Sequence, residues 1–207
     1  MFADREEAGR QLADELASRG VEADIILAIP RGGLPVARPV AERLGVDLEV
    51  VVARKIGAPW NPELAIGAVA SDGTTWLNEA IIADGAVEQS YIDRGIETES
   101  AAAAEKLERY RGVREPPALD GRRVIIVDDG VATGATMFAC VEHAKALGAS
   151  SVIVAVPVGS SDSIAMLRSL ADDVVCLEEP SVFSAVGQFY QTFGQVSEEE
   201  AAGYLDS

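Results

Sequence analysis

Residues 124 to 137, VIIVDDGVATGATM, combine the groups that could bind a phosphorylated sugar. Two adjacent carboxylates, Asp128 and Asp129, are followed by a loop of small residues that includes Thr133 and Thr136. The backbone N–H groups of such a loop can approach an anion closely where a helix begins. Carboxylates beside a phosphate need other partners, and sugar hydroxyls or a hydrated magnesium ion are suitable ones. The segment therefore predicts a site for a phosphorylated ribose.

The flanking residues predict that this loop joins a buried strand to a helix. The four β-branched residues from Val124 to Val127 are typical of a strand that is buried on both faces of a parallel sheet. Apolar residues then recur at helical spacing from Met137 to Leu147, and Gly148 would end that helix. This order is the first half of a βαβ unit.

The same residues strongly resemble the 5-phosphoribosyl-1-pyrophosphate (PRPP) motif of type I phosphoribosyltransferases. The resemblance implies that Asp128 and Asp129 hold the ribose 2′ and 3′ hydroxyls and that the turn binds the 5′-phosphate. It implies Mg²⁺ as cofactor, bound through PRPP and water, with the two aspartates as candidate ligands. A Rossmann-like turn is the alternative, whereas a P-loop is disfavoured because no Gly-Lys-Ser/Thr ends the loop. The implied PRPP-binding residues are Asp128, Asp129, Gly130, Val131, Ala132, Thr133, Gly134, Ala135 and Thr136.

Apolar runs and helical stretches alternate along the chain and predict an α/β fold, a doubly wound parallel sheet flanked by helices. We expect one domain over residues 1–207, with a core at about 20–178 and a small hood formed by the chain ends, 1–19 and 179–207. Predicted strands cover 25–29, 48–53, 124–127, 151–156 and 174–177, and predicted helices cover 4–19, 34–44, 87–111, 137–147 and 162–170.

Cations follow two further strands of the predicted sheet. Ligands of such sheets bind beyond the carboxyl ends of the strands. Arg31, Gly32 and Gly33 come after the first strand, and glycine N–H groups beside an arginine can bind a diphosphate. Arg54 and Lys55 come after the second strand. The resemblance assigns these five residues to the pyrophosphate, and it gives Arg54, Lys55 and the two aspartates catalytic roles.

Residues 56 to 73, IGAPWNPELAIGAVASDG, predict an irregular loop, because three glycines and two prolines interrupt any periodic pattern. The stretch resembles the flexible catalytic loop of the family, which closes over PRPP, and Glu63 is its candidate proton acceptor. Near the end of the chain, Phe183 is a candidate for base binding. Ala132 stands where 6-oxopurine enzymes usually have an aspartate, which favours an adenine-type or uracil-type loop.

The chain is strongly acidic, with 34 acidic against 17 basic residues and a net charge of −17. This charge argues against a nucleic-acid partner or an anionic membrane surface. Only three lysines occur, and the excess of acid over lysine suggests adaptation to concentrated salt, where surface carboxylates repel each other less. Refolding or activity that is best in low salt would contradict this hypothesis.

No leader and no run of membrane-spanning length are evident, so we expect a cytoplasmic protein.

The resemblance implies the transfer of the 5-phosphoribosyl group from PRPP to a nitrogenous base, as in purine or pyrimidine salvage, with release of pyrophosphate. The predicted partners are PRPP and a nucleobase or another nitrogen nucleophile, and the predicted assembly is a homodimer. The alternative is a regulatory protein of the same fold that binds PRPP or a nucleotide without chemistry. Lys55 and a closing lid distinguish the enzyme from the regulatory protein, since only an enzyme needs them. Another phosphorylated ribose as substrate also fits the sequence.

Overall fold

The computed structural model describes residues 1–112 and 114–206. A five-stranded sheet in the order β2-β1-β6-β7-β8 is parallel throughout. The described strands are β1 Ile25–Ala28, β2 Asp47–Val50, β3 Ala53–Ala58, β4 Asn61–Ala70, β5 Thr75–Leu77, β6 Arg123–Val127, β7 Ser151–Val158 and β8 Asp173–Glu178. The described helices are α1 Arg5–Ser18, α2 Gly33–Leu44, α3 Glu79–Asp84, α4 Gln89–Arg111, α5 Ala135–Ala146, α6 Ser161–Leu170 and α7 Glu198–Asp206.

Helices cover both faces of this sheet, so the predicted fold class is confirmed. Alternate residues of β1 point to opposite faces: Ile26 packs in one apolar cluster with α1, α2 and α7, and Leu27 packs in another with α5 and α6. Burial on both sides explains why β1 and β6 are continuously apolar rather than alternating. In the part of the chain that the structure describes, no helix is both long and apolar enough to cross a membrane.

The prediction of an irregular loop over residues 56–73 is wrong. β3 and β4 form an antiparallel hairpin with a register shift on either side of Gly57, and β5 adds a third strand. Two of the three glycines mark close packing instead of a loop, because a Cβ on Gly57 would lie 2.4 Å from the Pro62 oxygen and one on Gly67 would lie 2.6 Å from the Trp76 oxygen. Ile66 is fully buried in a cluster between this small sheet and α4.

The two ends of the described chain meet next to the main sheet. Phe2 forms a parallel bridge with Tyr190; its N–H donates to the Phe189 oxygen at 2.8 Å, and its own oxygen accepts from the Gln191 N–H at 2.8 Å. Phe2 and Tyr190 are buried together, with ring centroids 5.4 Å apart. This pairing brings α1 and the segment after β8 to one side of the sheet. The division into core and hood remains a prediction.

α1 and α2 pack at a point where only glycine fits. A Cβ on Gly9 would lie 2.4 Å from the backbone oxygen of Val36, which cannot move without shifting α2. We expect Gly9→Ala to lower the free energy of unfolding by about 1–3 kcal/mol, measured by urea titration. Gly203→Ala in α7 is the matched control, because its Cβ would meet nothing within 4 Å. Equal stability of the two variants would contradict the close contact.

Candidate active site

The ends of β1 and β6 bring two of the predicted segments together. β1 and β6 are parallel neighbours with Ala28 opposite Val127, and the Ile29 N–H continues the ladder by donating to the Val127 oxygen at 2.9 Å. Both strands therefore end at the same edge of the sheet. The turn at residues 30–32 follows β1 there, and the two aspartates follow β6.

The glycines of this turn lie directly against the two aspartates. A Cβ on Gly32 would lie 2.0 Å from Asp129 Oδ2, and one on Gly33 would lie 2.7 Å from the Val127 oxygen and 3.1 Å from Asp128 Cα. Side chains larger than hydrogen would push the turn away from β6. The sequence Arg31-Gly32-Gly33 and the acid pair thus form one packed unit.

The loop after the acid pair is held by the neighbouring end of β7. The Val131 N–H donates to the Val158 oxygen and the Ser160 N–H donates to the Val131 oxygen, both at 2.9 Å. The hydroxyls of Ser160 and Ser163 both donate to the Ala132 oxygen at 2.7 Å. The two serines were missed by sequence reasoning, and their only signal was that Ser160 begins a helix at a strand end.

This loop ends at the start of α5 and lines a small cavity. Gly134 precedes α5 in the left-handed conformation, with φ +79°, and a Cβ there would lie 2.3 Å from the Phe138 ring. The cradle cavity, as we call it, has a volume of about 170 Å³. Its lining residues are Lys55, Asp128, Gly130, Val131, Ala132, Thr133, Gly134, Ala135, Thr136, Met137 and Val186. It therefore contains a carboxylate, an ammonium group and two hydroxyls beside the first turn of a helix.

The two aspartates have different surroundings. Asp128 lines the cradle cavity, and its Oδ1 accepts the Asp129 N–H at 2.8 Å. Asp129 Oδ2 accepts from Arg5 Nε at 2.7 Å, and the backbone oxygen of Asp129 accepts the Tyr190 hydroxyl at 2.6 Å. The Arg5 guanidinium also donates to the Gly194 oxygen and lies 3.8 Å from the centre of the Phe193 ring. Asp129 thus joins β6 to both chain ends.

The prediction that Arg54 and Lys55 follow a strand over 48–53 is wrong, because β2 ends at Val50 and both residues lie within β3 of the small sheet. Their side chains point into two different cavities. Lys55 lines the cradle cavity, whereas Arg54 forms an ion pair with Glu99 and lines a second cavity together with Arg31. Neighbouring residues of a strand face opposite sides, which separates these two. Lys106 of α4 also lines the second cavity and was missed by sequence reasoning.

Glu63 and Phe183 lie outside the cradle cavity. Glu63 is exposed in the outer part of β4, where its N–H donates to Asn61 Oδ1. The ring of Phe183 packs against that of Phe189, with centroids 5.4 Å apart, beside the cluster of Phe2 and Tyr190. Their predicted roles in proton transfer and base binding remain predictions.

The ionised form of Asp128 destabilises the ligand-free protein. Burial and the adjacent Asp129 carboxylate raise the pKa of Asp128 well above its usual range. The folded protein therefore binds a proton at Asp128 more tightly than the unfolded chain does, so the stability contributed by this site falls as the pH rises above the unfolded pKa of about 3.9.

Asp128→Asn should for this reason stabilise the ligand-free protein increasingly as the pH rises. Asparagine keeps an oxygen that can accept the Asp129 N–H, but it carries no buried charge. The measurement is the difference in Tm between the variant and the wild type from pH 4 to pH 8, with Asp47→Asn at an exposed position of β2 as control. A difference that is constant over this range, or the same in both variants, would contradict the raised pKa.

Comparison with known proteins agrees with this arrangement. The family model described as phosphoribosyl transferase domain matches residues 4–192. Two Mycobacterium tuberculosis proteins, from strains CDC 1551 and H37Rv, carry the provisional name phosphoribosyl transferase and are each 43% identical over 206 residues. The match covers 100% of this chain and 46% of each relative, so the chain spans about half the length of the curated relatives.

Solved structures show the same fold. The crystal structure of TT1426 from Thermus thermophilus has 44% sequence identity and a TM-score of 0.86, covering 99% of this chain and 97% of that one. The AQ2163 protein of Aquifex aeolicus, with 10% identity and a TM-score of 0.51 over 84% of this chain and 73% of that one, shares the fold alone. The family match over most of the sequence decides the assignment: this chain belongs to the phosphoribosyl transferase domain family.

Proposed function

We propose that this chain transfers the 5-phosphoribosyl group of PRPP to a nitrogenous base and releases pyrophosphate in a Mg²⁺-dependent reaction. The observation that carries the proposal is the composition of the cradle cavity. Asp128, Lys55 and the hydroxyls of Thr133 and Thr136 line one space at the first turn of α5. Such a space offers acceptors for ribose hydroxyls and donors for phosphate at the same time.

The proposed reaction replaces the bond from the anomeric carbon to pyrophosphate by a bond to a base nitrogen. Positive charge develops on the ribose and negative charge on the departing oxygens. Asp128 would orient the ribose and stabilise the positive charge, while Lys55 and Arg31 would stabilise the leaving group. Asp129 would help to orient the ribose, with its carboxylate positioned by the hydrogen bond from Arg5.

The residues present fit a magnesium ion that is held mainly by its ligand. Among the described residues, no group of three or more His, Cys, Asp or Glu side chains could hold a metal on its own. The Asp128 carboxylate in the cradle cavity is a suitable single protein ligand, because Mg²⁺ commonly combines one or two carboxylates with phosphate oxygens and water. When bound, the ion would neutralise charge on the leaving group.

The acceptor base is proposed to be of the adenine or uracil type. The backbone oxygen of Ala132 is fixed by two serine hydroxyls, and its methyl group offers no carboxylate toward a purine N7. Glu63 as proton acceptor, Phe183 as base-binding residue, the homodimer, cytoplasmic location and salt adaptation all belong to this proposal as predictions. A shift of the β3–β4 hairpin would be needed to bring Glu63 to the cradle cavity.

A panel of nucleobases tests the proposal directly. The protein is incubated with PRPP, Mg²⁺ and one base at a time, in low and in high salt, and pyrophosphate release is measured. At least one base should give turnover that depends on PRPP. If PRPP raises the Tm but no base gives turnover, the chain is a PRPP-binding regulator. If Asp128→Asn combined with Asp129→Asn leaves that Tm shift unchanged, the ribose assignment is wrong.

Lys55→Ala should then lower kcat more than it weakens PRPP binding, because the ammonium group is proposed to stabilise charge that grows in the transition state. A loss of about a hundredfold in kcat is the size expected for one well-placed donor. Lys145→Ala is the matched control, since Lys145 lies at the end of α5 and donates to the Leu170 oxygen. Equal losses in kcat and in PRPP affinity would mean that Lys55 only binds.

A further inference from the structure

A second cavity at the same edge of the sheet is lined by cations from three elements. It has a volume of about 370 Å³ and shares no lining residue with the cradle cavity. Arg31 comes from the turn after β1, Arg54 from β3 and Lys106 from α4. The remaining lining residues are Ala102, Glu105, Arg109 and Glu198.

Lys106 is fixed within this cavity by the turn that carries Arg31. Its Nζ donates to the backbone oxygen of Pro30 at 3.1 Å, and its side chain is half-buried. An ammonium group has three donors, so this bond leaves two for another acceptor. No motif in the sequence pointed to Lys106, which lies between Glu105 and Leu107 within an alanine-rich helix.

The positive charge here is only partly compensated by the protein. Arg54 pairs with Glu99, and Arg109 pairs with Glu105 and more distantly with Glu198. Within residues 1–112 and 114–206, neither Arg31 nor Lys106 forms an ion pair with a carboxylate. Burial, and then the charges of Arg31 and Arg54, lower the pKa of Lys106, while Asp128 and Glu198 act in the opposite direction.

Such an arrangement favours a compact, multiply charged anion. Three cationic groups held by three different elements repel one another until an anion lies between them. The net charge of −17 disfavours a long polyanion, which would extend beyond the cavity over an acidic surface. A monophosphate offers fewer oxygens than these donors can use, whereas a diphosphate can contact all three groups.

We propose that Lys106 is a diphosphate-binding residue of this chain, acting with Arg31 and Arg54. This inference rests on the proposed function, which it deepens: the diphosphate of PRPP would lie in the second cavity while the ribose 5-phosphate lies in the cradle cavity. Arg54 and Lys55 are neighbours on β3 and line one cavity each, so Lys55 would contact the leaving oxygen from the ribose side while Arg54 and Lys106 bind the diphosphate itself. Through Lys106, α4 would thereby contribute a positive charge to diphosphate binding, although it lies outside the segments that the sequence analysis assigned to PRPP.

The test uses inorganic pyrophosphate and the full chain, so that it does not depend on turnover. Lys106→Gln should weaken pyrophosphate binding, measured by calorimetry, by about ten- to a hundredfold, as expected for the loss of one charge-assisted contact. Lys106→Arg should restore most of the affinity, because the charge returns. Lys145→Gln is the control for the loss of one positive charge elsewhere and should change little. The Tm of each variant shows that it is folded.

The outcomes separate this inference from the proposed function. Unchanged pyrophosphate affinity in Lys106→Gln overturns the inference. Equal losses for inorganic phosphate and pyrophosphate overturn the diphosphate class and make the cavity a monophosphate site. Pyrophosphate binding that depends on Lys106, with no turnover for any base, supports the inference and removes the proposed function. Turnover that does not respond to Lys106→Gln supports the function and removes the inference.

Discussion

The close approach of two strand ends is the constraint on which the rest of the site depends. β1 and β6 end side by side, and the backbone of Gly32 and Gly33 lies against Asp128 and Asp129 with no room for a side chain. The turn after β1 and the loop after β6 can therefore not be positioned independently. The buried ladder between the two strands fixes this approach, because a slip of one residue would turn each apolar side chain to the opposite face.

At this edge of the sheet, some charged groups form ion pairs within the protein and others do not. Arg5 binds Asp129 and Glu99 binds Arg54, while Asp128 and Lys106 keep unfavourable surroundings and shifted pKa values. A bound anion would favour the charged form of Lys106, and a bound cation such as Mg²⁺ would favour the charged form of Asp128. An anionic ligand needs such local cations because the whole chain is acidic. Its net charge of −17 repels anions at long range in dilute buffer.

The main sheet and the loop after β6 could be predicted from sequence because their signals are local. The apolar run of β6, the small residues of the loop and the periodic pattern of α5 lie within one stretch of the chain. The β3–β4 hairpin was missed because glycine and proline normally indicate loops, whereas here Gly57 and Gly67 allow close strand contact. Arg5, Tyr190 and Lys106 gave no local signal, since Arg5 reaches Asp129 across 124 positions and Lys106 reaches Pro30 across 76.

Because side chains alternate along β3, the order of Arg54 and Lys55 matters as well as their presence. Arg54 faces the larger cavity and Lys55 the smaller one. Exchanging the two would preserve the length, mass and net charge of the chain, yet it would put a planar fork of donors in the smaller space and a compact ammonium group in the larger. A homologue in which these two residues are reversed would therefore keep one positive charge at each cavity, but it would lose the planar donor group where the diphosphate is proposed to bind.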